Sequence, residues 1–232
     1  MIEVKNLVKN YGKGDVVTHV LRNINLRIKA GEFVAIMGKS GAGKSTLMYQ
    51  MSLLDVPTSG TVTLDGIETA GLSEADRTLF RLNRLGYIFQ DYALLPELSA
   101  AENVMVPLLM TGMSRAEGMT KAMRALDAVG LGHRLDNRPA QLSGGEQQRV
   151  SIARAIAEKP DILFADEPTA NLDSVSGEAV IKVMQELHQK QGQTIVMVTH
   201  EDEYAAAADR IIHLEDGVIV SDTTVNGREG AK

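Results

Sequence analysis

The sequence contains no cysteine, which excludes a disulfide framework and suits the cytosol without requiring it. It has no excess of basic residues. Lys and Arg number 24 against 30 Asp and Glu, a net charge of -6, so the chain-wide basic footprint of a nucleic-acid binder is missing and no nucleic-acid partner is expected. Long apolar runs are missing too. "VMVPLLM", interrupted by Pro107, is far too short to cross a bilayer. The opening "MIEVKNLVKNYGKG" lacks the apolar centre of a signal peptide. The expectation is a chain soluble on its own, with any membrane role exercised through a partner. There is no internal repeat and no low-complexity linker. What the sequence does have is 232 residues, 44% of them hydrophobic and 23% charged, enough for one domain carrying an inserted lobe.

Along the chain, the first third reads as short strands: "IEVKNLVKNY", "VLRNINLRIKAG", "EFVAIMG" and "GTVTLDG". The alternation in "INLRIKA" suits a half-exposed antiparallel strand. Residues from roughly 91 to 159 read as helical, and "GMTKAMRALDAVG" places Met119, Met123, Leu126 and Val129 on one face, as core packing. In the last third "DILFADEP" and "TIVMVTH" are strands around the helix "SGEAVIKVMQELHQKQG", which ends at Gly192. "RIIHLEDGVIVSD" is a hairpin turning at Asp216-Gly217. Strand, helix, strand with continuous apolar strands predicts a buried, mainly parallel sheet.

Several of the most apolar strands end in polar residues. "EFVAIMG" runs into a glycine loop, "LGYIFQ" ends at Gln90, "ILFADE" at Asp166 and Glu167, and "TIVMVTH" at His200. Ligands of open α/β sheets bind beyond the carboxyl ends of the strands, so these ends predict one site at one edge. "GKSGAGKST" (Gly38, Lys39, Ser40, Gly41, Ala42, Gly43, Lys44, Ser45 and Thr46) fits the phosphate-binding P-loop in full. Its glycines let backbone N–H groups wrap a phosphate chain. Lys44 would neutralise β and γ oxygens, and Ser45 would offer a hydroxyl to Mg²⁺. Lys39 adds a second cation, for which plain solvation is the competing reading. Asp166 is the candidate Mg²⁺ carboxylate. Glu167, facing the other way on an extended chain, is the candidate base for a water. Gln90 can reach the metal or the attacking water, and His200 a γ-phosphate oxygen. Tyr11, in a loop beside two glycines, could stack on adenine, with an exposed turn tyrosine as the alternative. His19, His133, His188 and His213 lack such context.

A second anion site lies a hundred residues on. In "QLSGGEQQRV", Ser143 and Glu146 form a capping box, while Gly144 and Gly145 bare the backbone N–H groups at a helix start. Together, Gly38 to Thr46, Gln90, "LSGGEQQR", "ILFADEP", "NLDS" and His200 resemble the ATP-binding subunit of ABC transporters, over essentially the whole chain. The resemblance implies ATP and Mg²⁺ as cofactors and a P-loop NTPase core of α/β class. It also implies an N-terminal antiparallel β subdomain and an inserted helical subdomain. The single domain would run over 1–232, with 1–90 and 160–232 as core and 91–159 as helical subdomain. Two copies would stack head to tail around ATP. Ser143, Gly144, Gly145 and Glu146 of one would face the nucleotide of the other, and Asp173 of "NLDS" would link the two sites. Integral membrane permease subunits would be the other partners, at the cytoplasmic face of the inner membrane.

Within that family "LLDVPTSG", "LGYIFQDYALLPELSAAENV", "LDAVGL" and "DEPTANLDS" are similar to the lipoprotein-release and macrolide-export ATPases (LolD and MacB type). Ala170, where glycine is common, and Glu201, where aspartate often follows the histidine, depart from the pattern without removing a functional side chain. The stretch after Gln90 would touch the membrane partner, and Leu94, Leu95 and Leu98 could equally be core. DNA-repair relatives insert a long coiled coil and translation relatives carry two cassettes; neither suits this chain. A signalling role through a membrane partner, without transport, remains an alternative reading.

Overall fold

A computed structural model describes residues 1–13 and 16–225. The end of the expected domain, 226–232, and Gly14 beside Tyr11 lie outside the described residues. The chain runs β1 (Ile2–Lys13), β2 (Val16–Ile28), β3 (Phe33–Met37), α1 (Lys44–Met51), β4 (Ser59–Leu64), β5 (Ile67–Glu68), α2 (Glu74–Arg84) and β6 (Leu85–Ile88). The helices α3 (Ala100–Met110), α4 (Arg115–Ala128) and α5 (Gly144–Ile156) follow. Then come β7 (Ile162–Asp166), α6 (Ser174–Gln191), β8 (Thr194–Val198), α7 (Asp202–Ala205), β9 (Arg210–Glu215) and β10 (Val218–Thr224). One sheet has the order β2-β1-β4-β5 and is antiparallel; the other has the order β10-β9-β3-β8-β7-β6. In the second, β9, β3, β8, β7 and β6 are parallel, and β10 returns as an antiparallel edge.

The central parallel strands β3, β7 and β8 are fully buried and almost wholly apolar because both faces are covered. On β3, Phe33, Ala35 and Met37 join the core shared with the helices, while Val34 and Ile36 join the core under the β-sheet of the N-terminal strands. β7 and β8 divide the same way: Leu163, Ala165, Ile195 and Met197 face one side, and Ile162, Phe164, Val196 and Val198 the other. Each fully buried aliphatic side chain contributes about 1.5–3 kcal/mol, so a one-residue slip in these strands would exchange the two cores. Ile24, Leu26 and Ile28 are buried on β2 with Asn25 and Arg27 exposed between them, the predicted alternation. The β9–β10 hairpin turns with Asp216 and Gly217 both at positive φ, 45° and 78°, the signature of its tight turn. α6 ends at Gly192 with φ 65°.

Three expectations need correction. The first third is not all strand: "EADRTLFRLNR" is helix α2, capped by Ser73 accepting from the Asp76 N–H. It buries only Arg77; Ala75, Leu79 and Leu82 fall at helical spacing, but in a short segment dense in charge, and Leu79 stays exposed. Residues 91–99 precede the first helix of the lobe instead of belonging to it. Met123 is 45% exposed, because α4 buries Gly118, Ala122, Ala125 and Leu126 instead; Met119 only leans on that core. His188 is also more than an ordinary surface histidine, since its Nε2 lies 3.1 Å from the buried carboxylate of Asp209.

Candidate functional site

The loop after β3 folds around two constraints. Gly38 has φ +150°, and a Cβ there would lie 2.2 Å from the Leu214 carbonyl oxygen, so only glycine lets the loop leave the sheet at this point. Further on, Gly43 is the N-cap of α1, with φ 98° and no side-chain cap, and the first turn carries no acidic residue. The other helices of eight or more described residues, α2 to α6, all start on a Ser or Asp side chain that accepts a backbone N–H. α1 alone among these leaves its first-turn donors, at the positive end of the helix, to something else. Lys44, the first residue of that turn, is only 6% exposed. Its Nζ donates to the carbonyls of Gly38 (2.9 Å) and Lys39 (3.1 Å). The Lys39 side chain itself is exposed, as solvation predicts.

Across from the loop, β7 delivers Asp166. Its carboxylate is 7% exposed and accepts from the Ser45 hydroxyl at 2.9 Å on one oxygen and from the Tyr87 hydroxyl at 3.2 Å on the other. Burial pushes the Asp166 carboxyl above its usual range, against the opposing pull of those hydroxyls. Glu167 follows, but not on an extended chain. Its φ is 44°, a left-handed conformation costing about 1–3 kcal/mol in a residue with a side chain. The turn is held by its N–H donating to Val198 O (3.0 Å) and its C=O accepting from Ala170 N–H (3.2 Å). That turn, instead of strand alternation, carries the Glu167 carboxylate between Lys44 Nζ (3.9 Å) and His200 Nδ1 (3.5 Å). A water held there would meet a carboxylate base, with a cation on one side and an imidazole on the other. Glu201, next along, accepts from Thr169 Oγ1 (3.4 Å) and stays out of this cluster.

The second anion site is built as expected and is separate. Ser143 Oγ accepts from the Glu146 N–H and the Glu146 carboxylate accepts from the Ser143 N–H, a complete capping box. The Ser143 N–H is the main cause holding the Glu146 carboxyl below its usual range; Arg134, 3.1 Å away, adds to it. Asp173 caps α6 by accepting from Ser176 N–H (3.0 Å) and Oγ (2.8 Å). Among the described residues, no hydrogen bond or ion pair joins Ser143, Gly144, Gly145, Glu146 or Asp173 to the Gly38–Thr46 loop of the same chain. Gly145 has a packing reason as well as an electrostatic one: a Cβ there would lie 2.9 Å from Ser176 Cβ. Gly145→Ala is expected to wedge α5 from α6 and cost about 1–3 kcal/mol, read as a lowered denaturation midpoint without nucleotide. An unchanged midpoint would reduce Gly145 to a phosphate contact alone.

Two sequence candidates sit differently from their expectation. Gln90 is exposed in the turn after β6, and its carbonyl accepts from Asn171 Nδ2 at 3.0 Å; among the described residues no hydrogen bond ties its side chain to Asp166 or Glu167. Tyr11 is in strand β1, paired with Thr18, and not in a loop. Its hydroxyl donates to Asp55 Oδ2 (2.7 Å) and lies against Thr46 of the phosphate loop. Burial, then Asp55, pushes its pKa up to about 12. Its ring, 42% exposed, carries Lys9 Nζ at 4.7 Å. Sequence reasoning missed Tyr87 on Asp166, and Asn171, whose carbonyl also accepts from the Tyr92 hydroxyl (3.2 Å). It missed Arg154 of α5 as well, which holds the carbonyls of Tyr92 and Ala93. Tyr92 and Ala93 are both at positive φ, so Arg154 pins a strained turn.

With this geometry in view, comparison with known proteins is direct. The family model described as ABC transporter matches residues 21–170. An uncharacterized ABC transporter ATP-binding protein of Methanocaldococcus jannaschii is 52% identical over 95% of this chain and 98% of its own length. The lipoprotein-releasing system ATP-binding protein LolD of Geobacter metallireducens is 46% identical over 96% of this chain and 99% of its own. The macrolide export ATP-binding/permease protein MacB of Aggregatibacter actinomycetemcomitans is 48% identical over 96% of this chain, which spans only 34% of that protein. Among solved structures, a dimeric post-hydrolysis state of the ATP-binding cassette MJ0796, bound to ADP and Pi, superposes with a TM-score of 0.90. It is 41% identical and covers 98% of this chain and 100% of its own. On these matches the chain belongs to the ABC transporter family as an ATP-binding cassette.

Proposed function

We propose that the chain is the ATP-hydrolysing, nucleotide-binding subunit of an ABC transporter, working as a dimer that closes around ATP to drive an integral membrane permease. The observation that carries this reading is the α1 terminus: an eight-residue helix with no side-chain cap, a buried lysine in its first turn, and Asp166, Glu167 and His200 grouped across from it. First-turn N–H groups and Lys44 bind the phosphates; Tyr11, anchored against Thr46, supports the nucleobase. Ser45 and Asp166 offer two hard oxygens 2.9 Å apart, and the buried carboxylate, its pKa raised by burial, is stabilised by a cation beside it. That donor set fits Mg²⁺, which takes one or two protein oxygens and completes its shell with phosphate and water. Ser45 and Asp166 would hold it, with Gln90 at the end of the neighbouring strand as a further candidate. When bound, Mg²⁺ would supply charge neutralisation to the phosphates. Glu167 orients and deprotonates the attacking water, and His200 contacts the γ-phosphate.

The completing half of the site comes from a second copy. Ser143 uses its oxygen as acceptor for the Glu146 N–H, and its O–H, which lies in reach of the Glu146 carboxylate, can turn to donate to a γ-phosphate from a facing chain without breaking that N–H cap. The dimeric MJ0796 cassette supports this arrangement, as does the separation of the two anion sites within one chain. The relatives named for lipoprotein release (LolD) and macrolide export (MacB) support lipoprotein release or export as the type of membrane partner, and in this reading the chain sits at the cytoplasmic face of the inner membrane. No helix among the described residues is long and apolar enough to cross a membrane. A cleft of about 440 Å³ lined by Leu54, Leu82, Tyr87, Pro107 and Met110 adjoins the turn after β6, with Leu54 45% and Met110 65% exposed. Leu95 is exposed nearby, whereas Leu94 packs on the helical core, so the even choice between contact and core divides residue by residue. Photo-cross-linking from residues 91–100 in native membranes is expected to capture a multi-spanning protein. Capture of soluble or nucleic-acid partners alone would overturn the reading.

A further inference from the structure

The strand alternation that builds the core also places an unassigned hydroxyl on the metal carboxylate. β6 and β7 are parallel neighbours with Tyr87 opposite Phe164. Asp166 is two residues beyond Phe164, so on a strand of period two it shares the face of Tyr87, within a diagonal's reach of a long aromatic side chain. The Tyr87 hydroxyl closes that diagonal at 3.2 Å, on the Asp166 oxygen that Ser45 does not use. We propose that Tyr87 is a positioning residue for the divalent cation of the bound nucleotide: by holding Oδ2 of Asp166 it fixes the carboxylate plane and presents Oδ1 beside Ser45. This rests on the reading that Asp166 and Ser45 hold the metal.

The case is geometric. A carboxylate turns readily about its terminal torsion; Ser45 pins one oxygen, and the Tyr49 hydroxyl also lies within reach of the carboxylate. Ser45 is itself a metal ligand in this reading, so the metal competes for its oxygen, whereas Tyr87 lies outside the phosphate loop and keeps its bond throughout. The Tyr87 ring is clamped, with Phe89 at a centroid distance of 4.5 Å and Tyr49 of α1 at 6.3 Å. A phenylalanine would fill the same core position equally well; the hydroxyl is what core packing does not require.

Tyr87→Phe keeps the ring and removes only the donor. The test titrates Mg²⁺ against a fixed concentration of trinitrophenyl-ATP, with the affinity for that probe in EDTA measured alongside, for the parent, Tyr87→Phe and Asp166→Asn. Removing a bond to a metal-binding carboxylate typically weakens metal affinity 10- to 100-fold. The expected result is a half-saturating Mg²⁺ concentration raised by about 10-fold in Tyr87→Phe, with probe affinity in EDTA unchanged. Equal Mg²⁺ requirements in Tyr87→Phe and the parent, with Asp166→Asn raised, overturn the role of Tyr87 and leave the metal reading standing. Unchanged requirements in both variants overturn the metal reading, and this inference with it. A Tyr87→Phe loss that is the same in EDTA as in Mg²⁺ shows a packing role only and also overturns the inference.

Discussion

Replacing Glu167 by glutamine is expected to slow ATP hydrolysis by about 10²- to 10⁴-fold, roughly 3 to 5 kcal/mol of barrier, while ATP binding survives. Glutamine keeps the size and the contacts to the Lys44 and His200 side of the site but cannot take a proton from water. Binding survives because the phosphates are held by α1 and Lys44. It should even tighten slightly, since the variant removes a negative charge 3.9 Å from the Lys44 ammonium. ATP that bridges two copies stabilises the dimer for as long as it stays intact. Glu167→Gln should therefore accumulate as an ATP-bound dimer, read as mass in solution. Ser143→Arg should remain monomeric, because a bulky side chain replaces the hydroxyl at the start of α5. It also loses a helix cap worth about 1 kcal/mol, so its melting is measured beside the parent to show that it is folded. Mixed dimers of the two variants keep one intact interface pair and should be weaker than Glu167→Gln alone. A Glu167→Gln protein that stays monomeric at saturating ATP and high concentration overturns the trans-site mechanism for the isolated subunit. Turnover within a few-fold of the parent would remove Glu167 as the base.

The edge where chemistry gathers was legible because parallel strands obey a rule that sequence exposes. Each apolar run must end somewhere, and "EFVAIMG", "ILFADE" and "TIVMVTH" end on residues that do chemistry. The structure brings the corresponding Lys44, Asp166, Glu167 and His200 within hydrogen-bonding or ion-pair distances of one another or of the loop. The capping box at Ser143 was legible because it is local, closed within three residues. What escaped depends on long-range placement. Asn171 and Gln90 are 81 residues apart, and Arg154 and Tyr92 are 62 apart; no periodicity joins such pairs. Helix α2 escaped because its stripe is short, Ala75, Leu79 and Leu82 among five charged residues, and its single buried side chain is an arginine. Met123 was misplaced because α4 packs through small residues. Gly118 lies 3.0 Å from Met105 at its would-be Cβ, and such close approach shifts the buried face toward Ala122 and Ala125. Tyr87 is the intermediate case. Alternation in "LGYI" and "ILFAD" puts it on the Asp166 face, but only once β6 and β7 are known to be neighbours in register.

Lys44→Ala is expected to weaken ATP binding by roughly 10- to 150-fold, the equivalent of the 1.5–3 kcal/mol that a hydrogen bond to a charged group contributes. The ammonium is 6% exposed and occupied by the carbonyls of Gly38 and Lys39, so its place is prepared by the backbone before any nucleotide arrives. Alanine keeps α1 helical, since it is the best helix former. Among the described residues it removes the one side-chain cation paired with Glu167 besides His200, whose own charge depends on protonation. Binding and chemistry then suffer together. The affinity loss comes from the missing partner for β- and γ-phosphate oxygens. Turnover should fall further than affinity, because negative charge that develops in the transition state meets no preorganised cation. AMP provides the internal control. It has no β- or γ-phosphate for Lys44 to reach, so its weak affinity should be the same in Lys44→Ala and the parent, as measured by isothermal titration or by competition with a fluorescent nucleotide. A parallel loss for ATP and AMP would mean that the loop itself had collapsed, and would assign Lys44 to holding Gly38 and Lys39 instead of the phosphates. Unchanged ATP affinity and turnover would remove Lys44 from the site altogether.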